Sequence, residues 1–211
     1  MSSSQHNAAS ITLAVTGASG AVYAREMLRL LVADARVERI HLVPSENSLR
    51  VLAEELNLNG RNGLAEKLLG TEYADRNGKV KQLSSTDIGA SIASGSYPVD
   101  AMIVLPCSMG TLASIAHGLA SNLIERAADV CLKERRRLIL CVRETPFHLI
   151  HIRNMQQAAE AGATIYPVMP TLYDQPTDTT TMARQFCCRV LAHIGLPQAD
   201  AYVWQCDDSR S

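Results

Sequence analysis

The chain has 211 residues, 47 % of them hydrophobic and only 4 % aromatic, which suits one domain with a mainly aliphatic core. Its 20 basic and 21 acidic residues leave a net charge of −1, which argues against nucleic acid or an anionic membrane as a partner. No apolar run reaches the roughly 18 residues of a membrane-spanning helix.

The polar start MSSSQHNAAS has no apolar segment of the secretory type. Residues 1–10 are therefore expected to form a flexible tail on a cytoplasmic protein, followed by one domain over 11–196 and a C-terminal tail over 197–211. The six cysteines, at 107, 131, 141, 187, 188 and 206, show no Cys-x-x-Cys spacing and mostly sit in apolar stretches. They read as buried thiols of a reducing compartment.

In chain order, 11–15 is a short buried strand. Apolar Val22, Met27, Leu28, Leu31 and Val32 recur with a helical period over 21–35. A second strand over 39–43 is closed by Pro44, and 49–58 is helical. From 59 to 86 the chain is polar, with Asn-Gly at 59–60, 62–63 and 77–78, and predicts a loop. A short helix is expected over 87–94, then a third buried strand over 101–105 that ends in Pro106. Helices follow over 111–118 and 123–134, and a fourth strand over 138–142. A helix over 148–161 stops at Gly162, a fifth strand covers 163–168, and the last helix covers 179–194.

Four of the five strands are nearly continuous apolar runs, as both faces of a parallel sheet require. The pattern predicts an α/β fold: three αβα layers of Rossmann or flavodoxin-like type around a doubly wound, mostly parallel sheet. Such sheets bind ligands beyond the carboxyl ends of their strands. That directs attention to loops 16–20, 44–48, 106–111, 143–147 and 169–176.

Gly17-Ala18-Ser19-Gly20 follows the first strand and opens a helix, so its N–H groups suit an anion or a polar ring edge. An ordinary tight turn explains two glycines spaced in this way as well. Ser45 has a similar pair of readings, a helix cap or a ligand contact. Ser108, Met109, Gly110 and Thr111 offer hydroxyls and close backbone approach at another helix start. Cys107, beside them, has the chemistry of a nucleophile, but local spacing puts no histidine next to it, and a buried thiol is the simpler role.

Arg126 and Lys133 lie two helical turns apart on one face. Arg135-Arg136-Arg137 fits a solvated helix end, where the dipole favours cations. Arg143 and Glu144 end the fourth strand, where a charged pair needs partners. Tyr173 is flanked by Pro170 and Pro176, and Arg189 lies in the last helix. A tyrosine hydroxyl and an arginine fork can together hold a phosphate, though spacing alone does not join these two.

As a set, the stretches TGASGA, SGSYPVDAMIVLPCSMGTL, NLIERAADVCLKERRRLILCVRETPFHLIHIRNM, AGATIYPVMPTLYDQP and RQFCCRVL carry more. In order and spacing they resemble the UbiX/Pad family of flavin prenyltransferases over about 11–196. RAADVCLKERR and RETP are the most specific segments. The resemblance implies an enzyme that joins reduced FMN to dimethylallyl monophosphate without a metal. A new ring closes across flavin N5 and C6, phosphate leaves, and prenylated FMN passes to a UbiD-type decarboxylase.

By matching motif, the resemblance puts Gly17, Ala18 and Ser19 on the flavin, with Ser19 near its reactive edge. Ser45, Ser108, Met109, Gly110 and Thr111 hold FMN, with Arg143 against it. Tyr173 and Arg189 bind the dimethylallyl phosphate, and Arg126 and Lys133 add positive charge around it. Glu144 matches an acid that relays a proton to the leaving phosphate, and Glu55 a glutamate near the prenyl site. In the family, several of these groups come from neighbouring subunits of a homo-oligomer, typically a dodecamer.

The sequence has no Asp-rich pyrophosphate motif, and its six histidines are scattered, in keeping with metal-free chemistry. Trp204, the only tryptophan, either covers a neighbouring site or packs on the surface. Two other functions compete: an FMN-dependent cysteine decarboxylase of the same fold, and a flavin carrier without chemistry. The first needs a histidine after the first strand's helix and a substrate clamp, neither of which is in place. The presence of Lys133, Glu144, Tyr173 and Arg189 together argues against the second.

Overall fold

The computed structural model describes residues 9–75, 77–173 and 175–203. Strands β1 (Ala9–Val15), β2 (Val37–Pro44), β3 (Val80–Gln82), β4 (Ala101–Cys107), β5 (Arg137–Val142) and β6 (Thr164–Ile165) form one sheet in the order β3-β2-β1-β4-β5-β6. Every neighbouring pair is parallel. The chain winds outward from β1 to β3, then crosses back to place β4 beside β1. That reversal opens a crevice at the carboxyl ends of β1 and β4.

Alternation along the strands makes two cores. Leu13, Ile103 and Leu105 point to one face, which α1 (Ala21–Ala33), α2 (Glu46–Leu56), α3 (Leu64–Leu69) and α7 (Thr179–His193) cover. Ala14, Met102 and Val104 point to the other, under α4 (Met109–Ala116), α5 (Leu123–Lys133) and α6 (Leu149–Glu160). The closest helix packing is α1 on α7 and α4 on α6. The expected three-layer, doubly wound α/β fold is what the chain adopts. No helix among the described residues is long and apolar enough to cross a membrane.

The structure corrects several boundaries. The sheet has six strands, not five, because 59–86 is more than a loop. Leu64, Leu68 and Leu69 are buried on one side of α3, and β3 adds a short edge strand beside β2. The Asn-Gly turns are as read: Gly60, Gly63 and Gly78 all have positive φ. Pro106 does not end β4. The ladder runs on to Cys107 opposite Val142, and a register shift between Val104 and Cys107 accommodates the residue that lacks an N–H.

At the last strand, Tyr166 and Val168 still donate to Leu140 and Val142, but Pro167 between them has no donor, so the regular strand stops at Ile165. The segment 87–94 is helical only over Ser91–Ala93, in one tight turn. The triple arginine is not simply a solvated end. Arg136 donates to the Tyr97 and Gly95 carbonyls and Arg137 to that of Ile194, while Arg135 turns left-handed to finish α5. Trp204 and Cys206 lie outside the described residues.

His41 in β2 is fully buried, with Nε2 3.1 Å from the Tyr97 hydroxyl. Burial, helped by the nearby Arg39 and Lys81, holds its ring down at about 4, from the ordinary 6.5. The unfolded chain therefore takes up a proton that the folded chain resists. The stability from neutral His41 is complete above pH 6.5 and is lost as pH falls toward 4, to a total of about 3 kcal/mol. Thermal melts across that window should show the slope, and His41→Gln should flatten it. Equal slopes for both proteins would rule this account out.

Candidate functional site

Hydrogen bonds stitch three of the expected loops together at the crevice. Thr16 Oγ1 donates to the Pro106 carbonyl at 2.8 Å and accepts from Ser108 N–H at 2.8 Å, joining the end of β1 to the end of β4. Ser45 N–H donates to the Val15 carbonyl at 2.9 Å, bringing in the end of β2. Gly17 lies against α2: a Cβ there would sit 2.6 Å from the Asn47 Cβ, so this glycine is required by the loop's own packing. Gly20 has φ +122°, which a side chain would strain.

The N–H groups that open α1 are already used. Glu55, reaching across from α2, accepts from Gly20 at 3.2 and 3.0 Å and from Ala21 at 2.7 Å. Its carboxylate sits where a helix start favours an anion. Ala18 is buried, while Ser19 is exposed at the tip of the loop. Ser45 does cap α2, its Oγ accepting from Ser48 N–H.

The start of α4 is different. Ser108 caps it by accepting from Thr111 N–H, and the first turn holds no acidic residue. Gly110 is exposed, and a Cβ there would meet nothing within 4 Å. This helix start has both the dipole and the room for a phosphate-bearing ligand. Cys107, one residue before it, is fully buried, and burial pushes its thiol up to about 12. It stays protonated at neutral pH and is no nucleophile. The described cysteines are all buried, free thiols.

Arg143 and Glu144 leave β5 into solvent and so need no buried partners. Glu144 Oε1 accepts from Thr145 N–H at 3.0 Å. The pair lines a cavity of about 320 Å³ with Phe147, Pro167 and Met169. Arg143 lies close enough to Tyr23 to oppose the upward push that burial gives its hydroxyl, and Arg189 does the same for Tyr166. Phe186 sits edge-on to both tyrosines, with centroids at 5.2 and 5.4 Å, so the three rings form one aromatic cluster.

Tyr173 and Arg189, which sequence spacing could not join, line one cavity of about 470 Å³ with Thr171, Gln185, Tyr202 and Val203. Arg126 and Lys133 do not reach it within the chain. They lie on α5, across the sheet from α7. Arg126 donates to the Ala93 carbonyl and to Asp129, and Lys133 pairs with Glu134 over Gly95. A Cβ on Gly95 would come 2.6 Å from Lys133 Nζ.

Sequence reasoning missed Thr16, Gln185 and Tyr202. Thr16 carried a faint signal, a polar residue at the end of an apolar strand.

A crevice of this topology, with no acidic residue in the first turn of α4 and an exposed arginine at the end of the neighbouring strand, has the architecture of a nucleotide-binding protein. The family model named Flavoprotein matches residues 1–186. Among curated relatives, flavin prenyltransferase UbiX of Salmonella typhimurium is 41 % identical over 197 residues, 92 % of this chain and 97 % of that protein. A solved structure described as AnUbiX (PadA1) in complex with FMN and dimethylallyl pyrophosphate superposes with TM-score 0.83 at 37 % identity, covering 94 % of this chain and 98 % of that one. A dodecameric FMN-dependent UbiX-like decarboxylase from Escherichia coli O157:H7 also gives 0.83, at 35 % identity over 93 % of this chain and all of that one. The chain belongs to the UbiX family of flavin prenyltransferases.

Proposed function

We propose that the protein joins reduced FMN to dimethylallyl monophosphate, releasing phosphate, and that a UbiD-type decarboxylase takes up the prenylated FMN. The observation that carries this reading is the meeting of Tyr173 and Arg189 in one cavity. Bound reduced FMN supplies the electron-rich ring atoms that accept the prenyl carbons.

The chain's own residues do the rest. Ser45, Ser108, Met109, Gly110 and Thr111 hold the nucleotide, with Arg143 against it and Gly17, Ala18 and Ser19 along the ring, Ser19 at the reactive edge. Glu55 fixes that loop through Gly20 and Ala21 and faces the prenyl side. Arg189 grips the donor phosphate with its fork, and the Tyr173 hydroxyl donates to it. Preorganised positive charge stabilises the phosphate as it leaves, and Glu144 delivers its proton.

Arg126 and Lys133 complete the charge from a neighbouring subunit, since the sheet separates them from Arg189 within one chain. We read the assembly as a homo-dodecamer. Leu149, Ile150 and Ile152 on α6 are at least half exposed and suit burial between copies. The free thiols fit a cytoplasmic setting.

The test is incubation of the protein with reduced FMN and dimethylallyl monophosphate, without metal, and mass spectrometry of the extracted flavin. The expected product has gained one five-carbon prenyl unit. Unmodified FMN, with the pyrophosphate donor tried in parallel, would overturn the reading.

A further inference from the structure

The chain after α7 does not run away from the fold. It turns back and lies along the helix. Gln185, in the middle of α7, uses both ends of its carboxamide to hold it. Its Nε2 donates to the Asp200 carbonyl at 3.0 Å, and its Oε1 accepts from Tyr202 N–H at 2.8 Å. One side chain thus reads two backbone groups, as a neighbouring strand would. Arg184, the residue before it, donates from Nε to Asp200 Oδ2 at 2.8 Å. Gln198 adds an anchor upstream, donating to Asp34 Oδ2 at 2.9 Å.

The segment held this way is part of a cavity. Tyr202 and Val203 line the same space of about 470 Å³ as Tyr173 and Arg189, and both remain partly open to solvent, Val203 the more so. Of the α7 side chains, Gln185 is the one that bonds Tyr202 itself, while Arg184 and Cys188 hold the segment two residues earlier, at the Asp200 carboxylate.

We infer that Gln185 is a positioning residue: its carboxamide clamps the 200–202 backbone to α7 and makes the C-terminal segment a wall of the pocket that takes a short allylic phosphate. This rests on the reading that Tyr173 and Arg189 bind the donor. They hold the phosphate, and Tyr202 and Val203 give the five-carbon chain an apolar surface. Two hydrogen bonds near 3 Å are enough to shift donor affinity about tenfold or more when both are lost.

The experiment uses the FMN-loaded full chain. Hydrogen exchange at the Tyr202 amide and calorimetric titration with dimethylallyl monophosphate are compared for the parent, Gln185→Leu and Asp200→Ala. Gln185→Leu is one bond shorter and has neither polar end. It is expected to expose the Tyr202 amide to exchange and to weaken the donor about tenfold, with FMN affinity unchanged. Asp200→Ala lies outside the pocket lining and removes the carboxylate that accepts from Arg184 Nε and Cys188 Sγ, leaving the Gln185 bonds to the backbone in place. It should move both readouts the same way by a smaller factor, about two- to fivefold.

Unchanged protection at Tyr202, or unchanged donor affinity once protection is lost, overturns the inference. Protein that binds the donor with these shifts yet yields no prenylated flavin would sink the prenyl-transfer reading and leave the clamp standing.

Discussion

Glu144→Gln protein is expected to bind FMN as the parent does and to transfer the prenyl group about 10²–10⁴ more slowly. Phosphate leaves an allylic carbon readily only when its developing charge is met, by fixed cations and by a proton. The fixed cations survive this substitution, so what is lost is the proton. Glu144 is exposed just beyond β5, and among the described residues its hydrogen bond is the one that Oε1 accepts from Thr145 N–H, so glutamine fits with little disturbance of the fold. Single-turnover rates with pre-bound flavin separate chemistry from loading. A rate equal to the parent's would remove Glu144 from the reaction.

Arg189→Met and Lys133→Met should each cripple donor use, the first by roughly 10²-fold, the loss of a charge-assisted contact. The informative result comes from mixing them. Arg189 is on α7 and Lys133 on α5, with the whole sheet between. If a site is completed across subunits, mixed oligomers of the two variants contain some sites with both residues intact. Co-expressed protein should then regain a fraction of the parent's activity that neither homogeneous variant has. Mixed oligomers as inactive as their parents would mean that Lys133 serves no site holding Arg189.

The parts of the fold legible in the sequence were those with an unbroken physical signal. β1, β4 and β5 are apolar on both faces and announce themselves. β3, reading Val80-Lys81-Gln82, is a three-residue edge strand with solvent on one side, so nothing in its composition separates it from a loop. The amphipathic α3 was obscured by the Asn-Gly turns around it.

The site divides in the same way. Loop positions followed from topology, because parallel sheets place their ligand loops at one end. Contacts between side chains remote in sequence did not. Thr16 bonds to Pro106 and Ser108 some 90 residues away, Glu55 reaches Gly20 over 35, and Gln185 depends on where a chain end returns. The meeting of Tyr173 and Arg189 needed both the stiffened loop and the register of α7.

The carboxylate of Glu55 bears on which nucleotides this crevice admits. The strand order is that of dinucleotide-binding sheets, which seat a pyrophosphate at the start of the first helix. Here that position holds a negative charge belonging to the protein, bonded to Gly20 and Ala21. An incoming pyrophosphate would have to displace it or be repelled by it. The start of α4 has no such occupant. The molecule keeps the strand order of a dinucleotide site with its first phosphate berth filled from within.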